Sequence, residues 1–138
     1  MYLSKLDLNE KKNFINLAAL VAEANGIVEE SEQFMLDMYC AEMQMEEDVE
    51  CDKEFDAVIA ELKNSAQDIK NIIVFELIGL CLTDGDYDND ERENIKKIAD
   101  ELGVAADKLA IFEKDLTLYA DLVGAMTEHV LLELMYFE

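Results

Sequence analysis

Proline is absent from the 138 residues, and glycine occurs only five times. Almost nothing in such a chain interrupts a helix, so breaks should fall only at deliberate turns. Histidine occurs once, at His129, which excludes a multi-histidine metal site within one chain. The three cysteines (Cys40, Cys51, Cys81) form no CxxC and leave one unmatched. Reduced thiols in a cytoplasmic protein are therefore expected, with Cys40 and Cys81 filling helix interfaces. Positive charge is scarce: 11 basic residues stand against 33 acidic ones, a net charge of −22. Such a balance repels phosphate and anionic headgroups, which argues against nucleic-acid binding and polybasic membrane docking. Long apolar runs are missing too. The longest uncharged stretch, Asn13 to Ala22, has ten residues, against the roughly 18–20 that a membrane-spanning helix needs. The segment Met1–Asp7 lacks the apolar core of a signal peptide. No GxSxG, P-loop or dinucleotide fingerprint occurs, and no carboxylate pair stands out as acid and base.

What is present is apolar content of 51%, enough to exclude general disorder despite the charge. The expectation is one compact all-α domain over 1–138, of six to seven helices. Asp7, three residues before Glu10, opens a first helix in capping-box spacing. Phe14, Leu17, Ala18 and Val21 give that helix one apolar face before Asn25-Gly26 stops it. A second helix should run from about Glu30 to Gln44, with Phe34, Met38 and Tyr39 inward. Asp52 is expected to cap a short third helix carrying Phe55, Val58, Ile59 and Leu62. Ser65 with Asp68 should open the fourth, whose apolar residues lie on most sides and mark it as central. Asp88 and Gly103 bracket a fifth helix from about Asn89 to Leu102, with Ile95, Ile98, Ala99 and Leu102 on one face. Asp107 is expected to cap a sixth helix with Leu109, Phe112, Leu116 and Tyr119. The C-terminal helical pattern spans 106–138, and Gly124 leaves open whether it forms one helix or two.

One pattern occurs twice. Ala24-Asn25-Gly26-Ile27-Val28-Glu29-Glu30-Ser31-Glu32 is followed 59 residues later by Thr83-Asp84-Gly85-Asp86-Tyr87-Asp88-Asn89-Asp90-Glu91. At that offset Phe14/Ile73, Ile15/Val74, Val21/Leu80, Ala22/Cys81 and Leu36/Ile95 keep apolar character. Two helix–turn–helix halves, approximately 10–44 and 66–102, related by duplication, are therefore expected. Gly26 and Gly85 supply the positive φ that ends a helix. Asn25 and Asp84 can bond the freed turn amides. Val28 and Tyr87 are apolar anchors, and Asp88 with Glu91 makes a better cap than Glu29 with Glu32.

An (A/T)-(D/N)-G-x-(V/Y)-x-x-x-E pattern that closes one helix, opens the next and is repeated once resembles the TerB-like family, named for the tellurite-resistance protein TerB. The resemblance spans roughly residues 5–115. It implies an all-helical cytoplasmic domain with an acidic, metal-binding surface, of the kind found in bacterial stress-response and metal-resistance systems. By position, Asp84, Gly85 and Glu91 match the second motif, and Gly26 and Glu32 match the first. Asn25 stands where the family usually has Asp, which removes one negative ligand from any symmetric two-site scheme.

The second loop is the richer cation candidate. Asp84, Asp86, Asp88, Asp90 and Glu91 offer the clustered oxygens that Ca²⁺ or Mg²⁺ prefers. An EF-hand loop is excluded, because Asn89 replaces its glycine and Ile95 its closing glutamate. The same acids are also explained by capping and turn structure alone. Between residues 29 and 56, twelve acids face one base, Lys53. Within that block Glu46, Glu47, Asp48 and Glu50 are the candidate contacts for a basic protein surface, although a solvated face explains them as well. Met35, Met38, Met43 and Met45 nearby suit either core packing or an adaptor surface for an amphipathic helix. The leading expectation is a non-enzymatic module whose acidic surface binds a divalent cation, a basic partner or both. The alternatives are a metal-independent adaptor for a partner helix and, with no catalytic motif behind it, a metal-dependent enzyme using the Asp84–Glu91 loop.

Overall fold

Six α-helices follow a 3-10 turn over Leu3–Lys5: α1 (Leu8–Ala24), α2 (Glu29–Glu42), α3 (Phe55–Leu62), α4 (Gln67–Thr83), α5 (Asn89–Leu102) and α6 (Ala106–Val130). These come from a computed structural model of the chain, which describes residues 1–27, 29–45, 49–83 and 87–131. Among the described residues there is no strand, so the expected all-α class holds.

Local signals place most boundaries. The Asp7 carboxylate accepts from the Glu10 N–H at 2.8 Å, and the Glu10 carboxylate accepts from the Asp7 N–H at 2.9 Å. This closes the capping box and satisfies two donors that a helix start leaves orphaned. Gly26 ends the first corner at φ +72°, and Gly103 ends α5 in the left-handed region at φ +75°. Asp88 caps α5 by accepting from the Glu91 N–H at 2.8 Å.

Other boundaries differ from expectation. Glu29 is the first residue of α2 rather than its cap. The α3 cap position is Glu54, without a side-chain bond, instead of Asp52. There the Lys53 N–H donates to Asn16 Oδ1 at 3.3 Å, so the chain stays fastened to α1 and the helix begins later. α4 starts after Ala66, whose carbonyl accepts from the Lys70 N–H, one residue beyond a Ser65 cap. Ala105 occupies the α6 cap position; Asp107 lies in the first turn and accepts from the Lys108 N–H at 3.0 Å. A carboxylate there still favours the helix through its dipole. Gly124 does not divide the C-terminal segment: α6 is one helix of 25 residues, long enough to absorb the roughly 1 kcal/mol that an internal glycine costs relative to alanine.

α4 is the central element. It packs against α1, α5, α6 and the 3-10 turn, and Ile73, Val74, Leu77, Ile78, Leu80 and Cys81 are all buried. α2 and α3 pack on α1, while α5 and α6 pack on α4; α3 also meets α5. On α2 the buried residues are Leu36 and Cys40, and Met43 just past its end is buried too. Phe34 is 68% exposed and Met38 is exposed as well, against the expected inward face. Both sets repeat at helical spacing; the edge contact of Tyr39 with Phe14, centroids 5.2 Å apart, accompanies the observed rotation of α2. α1 and α4 have 17 residues each, and α2 and α5 have 14 each. All five residue pairs aligned at the 59-residue offset are buried in both copies.

Candidate functional site

Three acid-bearing regions and one apolar groove can be built from these elements. At the second corner, Asp84, Gly85 and Asp86 lie outside the described residues. Of the remaining expected ligands, Asp88 spends a carboxylate oxygen on the α5 cap, Asp90 is exposed, and Glu91 is turned inward at 6% exposure. The half-buried Tyr87 is an anchor, as expected, and the Arg92 guanidinium lies 5.6 Å from its ring centroid. Arg92 also bonds Glu113 on α6 at 3.0 Å, so the corner carries a cation of its own.

At the first corner the Asn25, Gly26 and Ile27 amides donate to the backbone carbonyls of Val21, Glu23 and Ala22. The Asn25 side chain, expected on the turn amides, instead donates from Nδ2 to Cys81 Sγ on α4 at 3.4 Å. Folding the end of α1 against the start of α2 brings Glu23, Glu29, Glu32 and Asp37 around a cavity of about 440 Å³ with Cys40 and Cys51. Burial pushes the Glu32 carboxyl above its ordinary range, helped by the charge and hydrogen bond of Glu23 and by Glu29. Burial likewise raises the Cys51 thiol, with Cys40, Glu32, Glu23 and Asp52 adding to it. A thiol held protonated is a poor nucleophile. Sequence reasoning missed this cluster because Glu23 belongs to the helix before the turn, outside the repeated pattern. Among the described residues, no group of three or more His, Cys, Asp or Glu side chains is placed to hold a metal ion.

The third region is the acidic block. Glu46, Glu47 and Asp48 lie outside the described residues, while Glu50 is exposed. Glu50 lines a cleft of about 600 Å³ together with Lys11, Lys12 and Lys53, so the fold sets three bases beside it where the sequence block shows one. Lys53 also bonds Glu61 at 2.6 Å, and Lys11 Nζ donates to the Met43 carbonyl at 3.0 Å.

The groove lies between α4 and α6. It has a volume of about 520 Å³, and its apolar walls include Tyr39, Phe75, Leu82, Leu116 and Val123, with Glu76 among its polar residues. Glu76 is nearly buried and accepts from the Met1 ammonium at 2.6 Å and from the Tyr2 N–H at 2.9 Å. Glu42 bonds the same ammonium at 3.1 Å. Burial alone would lower the pKa of that ammonium, but the hydrogen bonds and charges of Glu76 and Glu42 outweigh it and raise it. The Tyr39 phenol is pushed upward by burial and then by the charges of Glu76 and Glu42. Tyr119, expected on the inward face of α6, is exposed at the groove edge.

Among the described residues, no helix is long and apolar enough to cross a membrane. Comparison with protein-family models, with curated proteins and with solved structures finds no match to the chain. The class that fold and site define is thus an all-helical protein with a densely acidic surface and an open apolar groove.

Proposed function

We propose that the chain is a non-enzymatic, TerB-like interaction module of a bacterial stress-response or metal-resistance system, working in the cytoplasm. It acts through its acidic surface, which takes up a basic protein partner, a divalent cation or both. The observation that carries this is the excess of unneutralised carboxylate. The chain has 33 acids against 11 bases, so the pairs of Glu61, Glu101 and Glu113 with Lys53, Lys63 and Arg92 leave most of the negative charge unmatched by lysine or arginine. A field of that size favours cations and basic surfaces and raises their association rates. The matched helix lengths and the buried aligned pairs support the duplication on which the TerB resemblance rests.

For the cation branch the candidate stays the Asp84–Glu91 loop, whose clustered carboxylates are of the kind a hard divalent cation prefers. The metal-independent adaptor branch is supported by the exposed Phe34 and Met38 on α2 and by the groove along α6. Calorimetry separates the branches. Titration with Ca²⁺ or Mg²⁺ and, separately, with a lysine-rich peptide is expected to give heat in at least one case, falling as salt rises. No heat with either cation or peptide at millimolar concentration sinks the proposal.

A further inference from the structure

One set of apolar residues of α6 keeps a single spacing: Leu109, Phe112, Leu116, Tyr119, Val123, Met126 and Val130 alternate steps of three and four, while Ile111, Leu118 and Leu122 lie off it and are exposed. That spacing is the seam by which one helix packs along another. Its first half is used internally, since Leu109 and Leu116 are buried and Phe112 packs on the core. Its second half continues without an internal partner among the described residues: Tyr119, Val123, Met126 and Val130 are all exposed, Val130 at 76%.

Two glycines sit beside that open half. Gly79 lies inside α4 and Gly124 inside α6, and both line the same groove. Neither has the positive φ that makes glycine necessary at Gly26 and Gly103. A Cβ built on either meets nothing within 4 Å. Internal packing therefore requires neither glycine, although each weakens its helix relative to alanine. With Ala120 between them in the groove wall, they leave room for another backbone to approach closely. Charge selects that occupant. The stretch 116–131 has Asp121 and Glu128 but no lysine or arginine. Glu76 in the groove is already paired with the Met1 ammonium, so the selecting charge is that of Asp121, Glu128 and the −22 of the whole chain. A second copy would bring the same negative field. A helix with one apolar face and lysines or arginines along its flanks would complement it.

We propose that the groove between α4 and the second half of α6 is the docking site for a basic amphipathic helix of a partner protein. The seam supplies the apolar contact, Gly79 and Gly124 allow close approach, and the surrounding carboxylates steer and select the positive flanks. This rests on the basic-partner branch of the function proposed above, and adds to it a location and a partner shape.

The test uses the full chain and a fluorescein-labelled 18-residue peptide with leucine at three–four spacing and lysine elsewhere. Its control is the same peptide with glutamate for lysine. Anisotropy should show binding of the lysine peptide only, weakening as salt rises. The double variant Gly79→Ala/Gly124→Leu fills the groove while improving both helices. It should keep or raise the melting temperature and weaken binding at least tenfold. Unchanged binding by that variant overturns the location; if binding is then lost on neutralising Glu29, Glu30 and Glu32, the basic-partner function survives without the groove. Equal binding of the glutamate peptide overturns the charge argument. Sedimentation showing a dimer that strengthens with salt and is broken by Gly124→Leu assigns the groove to a second copy and overturns the proposal. No peptide binding, whether because residues 132–138 or nothing at all occupy the groove, overturns it together with the basic-partner branch.

Discussion

Between Leu109 and Leu116, α6 is a core helix; between Tyr119 and Val130 the same apolar spacing faces solvent. The sequence pattern does not change across that border. What changes is the cover: the first half packs into the core, while from Tyr119 to Gly124 the helix borders an open groove with α4. α6 has 25 residues and α4 has 17. At 1.5 Å per residue the two helices measure about 37 Å and about 25 Å, so α6 outruns its neighbour. Periodicity thus tells that a helix has an apolar face, and the packing of the neighbouring elements decides how much of it is covered. The contrast extends to charge. α2 begins with Glu29, Glu30 and Glu32 in its first turn, whereas the open half of α6 carries only Asp121 and Glu128, spaced apart, and no lysine or arginine.

The largest effect expected is on stability. Leu116→Ala should cost about 2–4 kcal/mol in urea denaturation, as buried leucine truncations do. Met126→Ala should stay within about 0.5 kcal/mol, the usual range for exposed positions. Similar losses at both sites would erase the distinction between the two halves of α6.

The glycines sharpen the same contrast at about half that size. Gly103→Ala forces an L side chain into φ +75° and should destabilise by about 1 kcal/mol. Gly124→Ala, free of that demand, should stabilise by up to about 1 kcal/mol through helix propensity. Thermal melts read both, and a loss at Gly124 would show that a close contact inside the monomer needs it.

At the second corner, Asp88→Ala should cost about 1 kcal/mol by removing the α5 cap, while Asp90→Ala should change little. Melting in the presence and absence of Ca²⁺ tests whether capping is the whole role of Asp88. A Ca²⁺-dependent stabilisation lost in Asp88→Ala would assign it to an ion as well.

The smallest effect lies at the first corner. A carboxyl raised in the folded state binds its proton more tightly there than in the unfolded chain, so its ionisation opposes folding as pH rises through the raised value. Glu32→Gln should therefore raise the melting temperature slightly at pH 7, within about 0.5 kcal/mol given solvent screening. The gain should vanish once the pH falls below the ordinary glutamate range, where wild-type Glu32 is protonated in both states. A gain independent of pH would mean that the ionisation of the partly buried Glu32 beside Glu23 and Glu29 is not its source.

The backbone was largely legible because its signals are local. Asp7 with Glu10, Asp88 with Glu91, and Gly26 and Gly103 act within one turn of chain, and each stands where its chemistry predicts. Facing was less legible. On α2, Phe34/Met38 and Leu36/Cys40 repeat at equally good helical spacing, and only the position of α1 decides between them. Tyr119 keeps the inward spacing yet lies at the edge of the open groove beside α4, where packing is not closed. The cluster of Glu23 with Glu29 and Glu32 was invisible because it forms across a turn, between residues that no motif links. Of the cation loop, Asp88, Asp90 and Glu91 can be followed into capping, exposure and burial; Asp84 and Asp86, like the partner candidates Glu46, Glu47 and Asp48, lie outside the described residues.

The central claim is that an acidic body presents a helix-sized groove along α6 to a basic partner. Backbone amide NMR of the full chain during titration with the lysine–leucine peptide tests it most directly. Shift changes concentrated in residues 75–82 and 116–131, with small changes along 29–33, are the predicted result. Changes confined to the α2 and α5 acids, with α6 unmoved, would contradict it.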